Sequence, residues 1–304
     1  MTAPFNYKDT LARAEKIAWR VEDLIGGEKK LDFSKPFLPE SLAQTAKLSF
    51  LTAEERLRLN QIRGHGYLYT FGLVEEFILP FVMDHARHVI EMGDDFRTRA
   101  LLQFATEEAK HIHLFKRFRE EFQAGFVTQC DVIGPPEAIG AKVLSYDALS
   151  VCLVTLGIEW MTQSHYTESV RDDAELDPQF KSLLKHHWME EMQHAQLDTL
   201  MTEDLAKMRD EDQRLAAIRG YAEIGAFLDE GLAQQAQFDL EALTRACGHS
   251  FSMEERAEIL KTQHQALRWT FLGSGLTHPQ TRAALMRVSP AGAEELAEIA
   301  PAFC

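Results

Sequence analysis

Apolar residues along this chain return every three or four positions over long stretches, and no stretch alternates at every second position. The pattern predicts an all-α protein. A first amphipathic helix is expected over residues 8–25, followed by a loop at LDFSKPFLPESL. Thr52 and Glu55 form a capping box that starts a long helix to about residue 90. Further helices are expected at about 95–126, 146–171, 178–209 and 212–246, with Gly248 as a C-cap. A short helix should follow VIGPPEAIG, one more falls in SMEERAEILKTQHQALRWTFLGSGL, and two short pieces finish the chain. No Gly/Ser/Pro-rich linker divides the 304 residues. The expectation is one helical domain over 1–304, with a four-helix core at about 52–210 and additional C-terminal helices at about 211–304.

Several positions break the apolar pattern in an orderly way. On a wheel of 100° per residue, Glu108 falls among Leu101, Phe104, Ile112, Phe115 and Phe118. Glu191 shares its face with His187, His194, Asp198, Leu184, Ala195 and Leu205. Glu159 lies within the apolar run LVTLGIEWMTQSHY. Glu75 is surrounded by Leu68, Phe71, Leu79, Val82, Ala86 and Val89, whereas Glu76 sits on the flank. On the same wheels Glu107, His113, His186 and Glu190 point away. Placing ionisable groups on core faces costs several kcal/mol each unless something compensates them.

The order along the chain is Glu, E-x-x-H, Glu, E-x-x-H. Turn-like breaks at EMGDD (91–95) and RDDAELDP (171–178) separate each lone glutamate from its motif. At about 1.5 Å per residue, two antiparallel hairpins would bring Glu75, Glu108, Glu159 and Glu191 to one level, together with His111 and His194. That constellation is the di-iron or di-manganese carboxylate pattern of four-helix bundles. Carboxylate and imidazole donors suit iron, manganese or zinc and not Cu(I). Iron is preferred over zinc, whose sites usually have four ligands each and often use cysteine, and manganese fits the same ligands. Asp198 is open to two readings, a group that orients an imidazole or a solvated residue beyond the site. Tyr166 reads first as a core tyrosine and second as a residue lining a substrate or oxygen path. His65, His85, His88, His165, His249, His264 and His278 show no such registration.

The net charge of −15 argues against nucleic acid and anionic membranes as partners. Cys130, Cys152, Cys247 and Cys304 are scattered, with no C-x-x-C, so neither a rubredoxin-like iron site nor a disulfide framework is expected. No run of eighteen apolar residues and no signal-peptide core appear, and a cytoplasmic location without membrane attachment is the expectation.

With these motifs in place the sequence resembles the ferritin-like di-iron carboxylate proteins, and within them the p-aminobenzoate N-oxygenase type of di-iron oxygenase. The likeness is carried by EEAKHIHLF and by H-x-x-x-E-x-x-H at 187–194, over roughly residues 60–210. The resemblance implies a ligand set of Glu75, Glu108, His111, Glu159, His187, Glu191 and His194 for two iron ions. It also implies an O2-dependent oxygenase or oxidase acting on a small organic substrate, with amine N-oxygenation as the specific reaction. Electrons must come from an external donor, because the chain has no flavin, NAD or iron–sulfur fingerprint. A homodimer is compatible with the sequence. The competing reading is a ferritin-like di-metal protein for iron handling or peroxide scavenging.

Overall fold

A computed structural model describes residues 5–304, and among these no strand occurs. Helix α1 (Tyr7–Ala14) is short; α2 (Glu40–Ala43) is a single turn inside the expected loop. The core pairs α3 (Ala53–Met92) with α4 (Asp95–Gly125), and α6 (Ala148–Ser164) with α7 (Pro178–Lys207). Between the pairs lies α5 (Pro136–Leu144). Beyond them come α8 (Glu211–Cys247), α9 (Met253–Arg268), α10 (Ser274–Thr277), α11 (Pro279–Val288) and α12 (Pro290–Ile299). This is the expected all-α architecture, a four-helix core with added helices.

Local chemistry sets the helix ends. Thr52 and Glu55 form both arms of the capping box that opens α3, and Asp210 with Gln213 does the same for α8. Gly93 and Gly248 close α3 and α8 at positive φ (73° and 72°), where a side chain would be strained. Gly93 also lets α3 reverse into α4 within two residues, which forces the pair antiparallel. By length and composition α3 is apolar enough to cross a bilayer, but 72% of its apolar window is buried inside the protein.

The first helix is shorter than its sequence suggests. Periodicity points to 8–25, yet α1 ends at Ala14 and residues 15–20 leave the helix before a single 3₁₀ turn at Val21–Asp23. Tertiary contact outweighs propensity here. The non-helical stretch places Trp19 against the core, where its indole lies nearly parallel to the His111 ring, 7° off and 6.1 Å between centroids.

Helix α8 packs against α3 and α6, and α9 packs on α8. The added helices therefore cover the α3–α6 side of the core. Two π-helical turns lie on that side, His165–Val170 after α6 and Trp269–Gly273 after α9. Such turns are frequent at functional sites.

Candidate metal centre

The four core helices bring all seven singled-out side chains to one level, each no more than 3% exposed. Helix α3 supplies Glu75, α4 Glu108 and His111, α6 Glu159, and α7 His187, Glu191 and His194. Glu75 is 3% exposed, while Glu76 lies at the surface as its flank position suggested.

Two groups of donor atoms form, each with its members within 4.8 Å of one another. Glu75, His111, His187 and Glu191 make the first; Glu108, His111, Glu191 and His194 make the second. Glu191 and His111 belong to both. Glu191 Oε1 lies 2.7 Å from His187 Nε2 and 2.9 Å from His111 Nδ1, and its Oε2 lies 3.0 Å from His194 Nδ1. Glu75 Oε1 is 3.0 Å from His187 Nε2, and Glu108 Oε1 is 2.8 Å from His194 Nδ1. Glu159 stands outside both groups but hydrogen-bonds Glu191.

Charge is badly matched at this level. Among the described residues no lysine or arginine forms an ion pair with Glu75, Glu108, Glu159 or Glu191. Both oxygens of Glu108, and one each of Glu75, Glu159 and Glu191, accept no hydrogen bond although fully shielded; His111 Nδ1 is also without one. Left to themselves, the side chains respond by moving protons. Burial pushes Glu159 well above the ordinary carboxylate range, and the neighbouring Glu191 pushes it further. Burial also opposes charge on the three imidazoles, but Glu191 and its neighbours outweigh it and hold His111, His187 and His194 above their usual value. Against the same burial, these imidazoles keep Glu191 well below its usual value. Two divalent cations would replace those protons and engage the orphaned oxygens together. The donor set therefore fits a two-metal centre.

Two glutamates that the helical wheels turn outward prove to be part of the site. Glu107 is 2% exposed and its Oε2 accepts a hydrogen bond from His194 Nε2 at 2.8 Å. Glu190 is 1% exposed and accepts from His111 Nε2 at 2.9 Å. A wheel treats a helix as having one buried face; here a flank position on α4 meets the imidazole of α7, and the reverse. The signal was present in the sequence as a doubling, since both motifs read E-E-x-x-H. Each crossed pair leaves Nδ1 of the imidazole aimed at the carboxylates. Lys110 also donates to Glu190, and its Nζ lies 3.9 Å from the centre of the Trp19 ring. Asp198, whose reading was open, is fully buried with neither oxygen hydrogen-bonded, and burial raises its pKa to about 7. Tyr166 stacks on Trp188 at 4.5 Å.

No protein-family model matches the chain, and no curated protein does. Among solved structures the chain is similar to point variants of an R2-like ligand-binding oxidase. One, with an aerobically reconstituted Mn/Fe cofactor, shares 16% identity over 86% of this chain and 92% of that chain, with a TM-score of 0.48. Another, with an aerobically reconstituted Fe/Fe cofactor, shares 15% identity over the same proportions, with a TM-score of 0.47.

Proposed function

We propose that this protein is an O2-dependent di-iron oxidoreductase that oxidises a small organic substrate, with electrons from an external donor. One observation carries the reading: three buried carboxylates, Glu75, Glu108 and Glu191, converge with three imidazoles, a fourth buried carboxylate, Glu159, lies beside Glu191, and no fixed cation pairs with them. Glu75, Glu108, His111, His187, Glu191 and His194 would hold the two ions, with Glu159 beside them. Mixed carboxylate and imidazole donors suit iron or manganese. Such an ion pair supplies O2 binding and the electrons for its reduction. The protein's part is to hold Nε2–H of His111 and His194 on Glu190 and Glu107, so that each Nδ1 lone pair faces inward. Phe71, Phe104 and Phe115 pack on His187 and His194 and exclude water from that level.

Amine N-oxygenation is the specific reaction we assign first. Its support is the H-x-x-x-E-x-x-H pattern together with the position of His187 Nε2, 3.0 Å from Glu75 and 2.7 Å from Glu191. A neutral imidazole there adds a ligand without adding charge.

The test is anaerobic loading with Fe(II), elemental analysis, and rapid mixing with O2. About two iron ions per chain are expected, with O2 consumed and the iron oxidised. Reproducible binding of less than one ion, or no reaction with O2, would overturn the reading. In His187→Ala, iron content should largely persist while the course of the O2 reaction changes.

A further inference from the structure

On the α3–α6 side of the centre lies a cavity of about 390 Å³, within the range of small-molecule sites. Thr70 and Val74 of α3, Ile158 of α6, Leu228 of α8 and Phe271 of the second π-helical turn contribute to its wall. A smaller void of about 50 Å³ continues from it and shares Ile158, Leu228 and Phe271. We propose that this cavity is the substrate site of the centre, and that it takes an uncharged, predominantly hydrocarbon molecule carrying one hydrogen-bonding group, held by Thr70. The substrate role rests on the di-metal reading above.

Position comes first. Val74 and Ile158 directly precede Glu75 and Glu159, so the wall of the cavity and two carboxylates of the centre are carried by the same turns of α3 and α6. The partition between them is aromatic. Phe71 meets the His187 ring edge-on at 5.4 Å and packs on Phe271 at 5.7 Å. Phe271 faces the cavity from the π-helical turn Trp269–Gly273. Phe71 and Phe271 thus stand in series between His187 and the cavity.

Chemistry sets the class of ligand. The wall is mainly Leu, Ile, Val, Phe, Ala, Gly and Pro. Its buried polar group is Thr70, 7% exposed, whose Oγ1 has no hydrogen-bond partner. A hydroxyl can both donate and accept, so it suits one alcohol, amine or carbonyl group. The charged residues of the wall, Lys142 and Glu230, are exposed, and their opposite signs select neither anion nor cation. An ionised group carried inside would find no counter-charge, which makes its burial costly. An arylamine bearing a carboxylate therefore does not match the wall, whereas an uncharged one does.

The test is calorimetric titration of the full-length protein with n-octanol and with octanoate at neutral pH, metal-free and after loading with Co(II), whose visible spectrum reports on the centre. Octanol should bind both forms at least about tenfold more tightly than octanoate, and should change the Co(II) spectrum. Thr70→Val should weaken octanol binding by about tenfold, the scale of one lost hydrogen bond. Ala138→Trp, at an exposed position of α5 on the cavity wall, should abolish both binding and the spectral change while leaving metal uptake intact. Equal binding of octanoate would overturn the ligand class. Octanol binding unaffected by Ala138→Trp, or without spectral change in the Co(II) protein, would overturn the cavity as the substrate site. Failure to take up metal would instead overturn the di-metal reading, and the cavity's substrate role with it, even where octanol still binds.

Discussion

The α4–α7 side of the centre and the α3–α6 side are built from opposite materials. On the first, His111 and His194 each donate from Nε2 to a buried glutamate, Glu190 is also held by Lys110, and Trp19 covers His111. On the second, α3 and α6 are backed by apolar side chains, an orphaned Thr70 hydroxyl and a cavity. The polar side fixes two imidazole tautomers and resists rearrangement; the apolar side leaves room. All four helices carry carboxylates of the centre, but the imidazoles and the groups that orient them are concentrated on α4 and α7, and the open space lies beside α3 and α6.

The largest expected effect tests whether the two sides meet at Glu191. Glu191→Ala should lose both ions by elemental analysis, because this carboxylate belongs to both donor groups. Retention of about two ions would show that the groups do not share it. Glu75→Ala should likewise lose metal, whereas the exposed neighbour Glu76 should tolerate the same change. Next in size are the crossed glutamates. Glu107→Gln and Glu190→Gln should each weaken metal affinity by about 10- to 100-fold in competition with a chelator, the usual cost of losing a group that orients an imidazole ligand. Thr70→Val, on the other side, should leave that affinity unchanged; an equal loss there would erase the contrast.

A third effect is read in pH. Without metal, His111, His187 and His194 have folded-state pKa values raised above 6.5, with burial opposing the shift and Glu191 and its neighbours outweighing it. Their contribution to stability is complete below about pH 6.5 and is lost as pH rises through the folded-state values. Glu159, raised by burial and Glu191 above 4.5, acts in the same direction. Thermal unfolding of chelator-treated protein should therefore fall in temperature from pH 6 to pH 9. The metal-loaded protein should not follow it, because metal binding displaces the same protons and strengthens with pH. Parallel curves would refute the exchange of protons for metal. Smallest of all, Lys110→Met should change metal affinity by no more than about fivefold, the scale of a partly exposed ion pair.

Much of this was legible in the sequence. The start of α3 and the end of α8 follow from the Thr52–Glu55 capping box and Gly248, which act within a few positions of themselves. The inward aim of Glu75, Glu108 and Glu191 follows from the helical period, and that of Glu159 from its place in an apolar run. Glu107 and Glu190 were misjudged because their partners sit on a different helix, and a single-helix wheel holds no information about where two helices touch. The early end of α1 was invisible for a related reason: the Trp19–His111 stack joins residues 92 positions apart. The cavity was out of reach as well, since α3, α6, α8 and the Trp269–Gly273 turn each contribute only a few residues to its wall.

The crossing of the two E-E-x-x-H segments has a consequence for how the protein is made. Glu107 reaches His194 across 87 residues, and Glu190 reaches His111 across 79. A nascent chain that has finished only the α3–α4 hairpin owns half of each pair and holds neither imidazole in place. These are non-local contacts, which form late because a long loop must close first. Iron offered during synthesis would thus find no competent receptor until α7 has emerged and docked. Metal capture becomes a check that both halves of the core have met, and a truncated or misdocked product stays without redox-active iron.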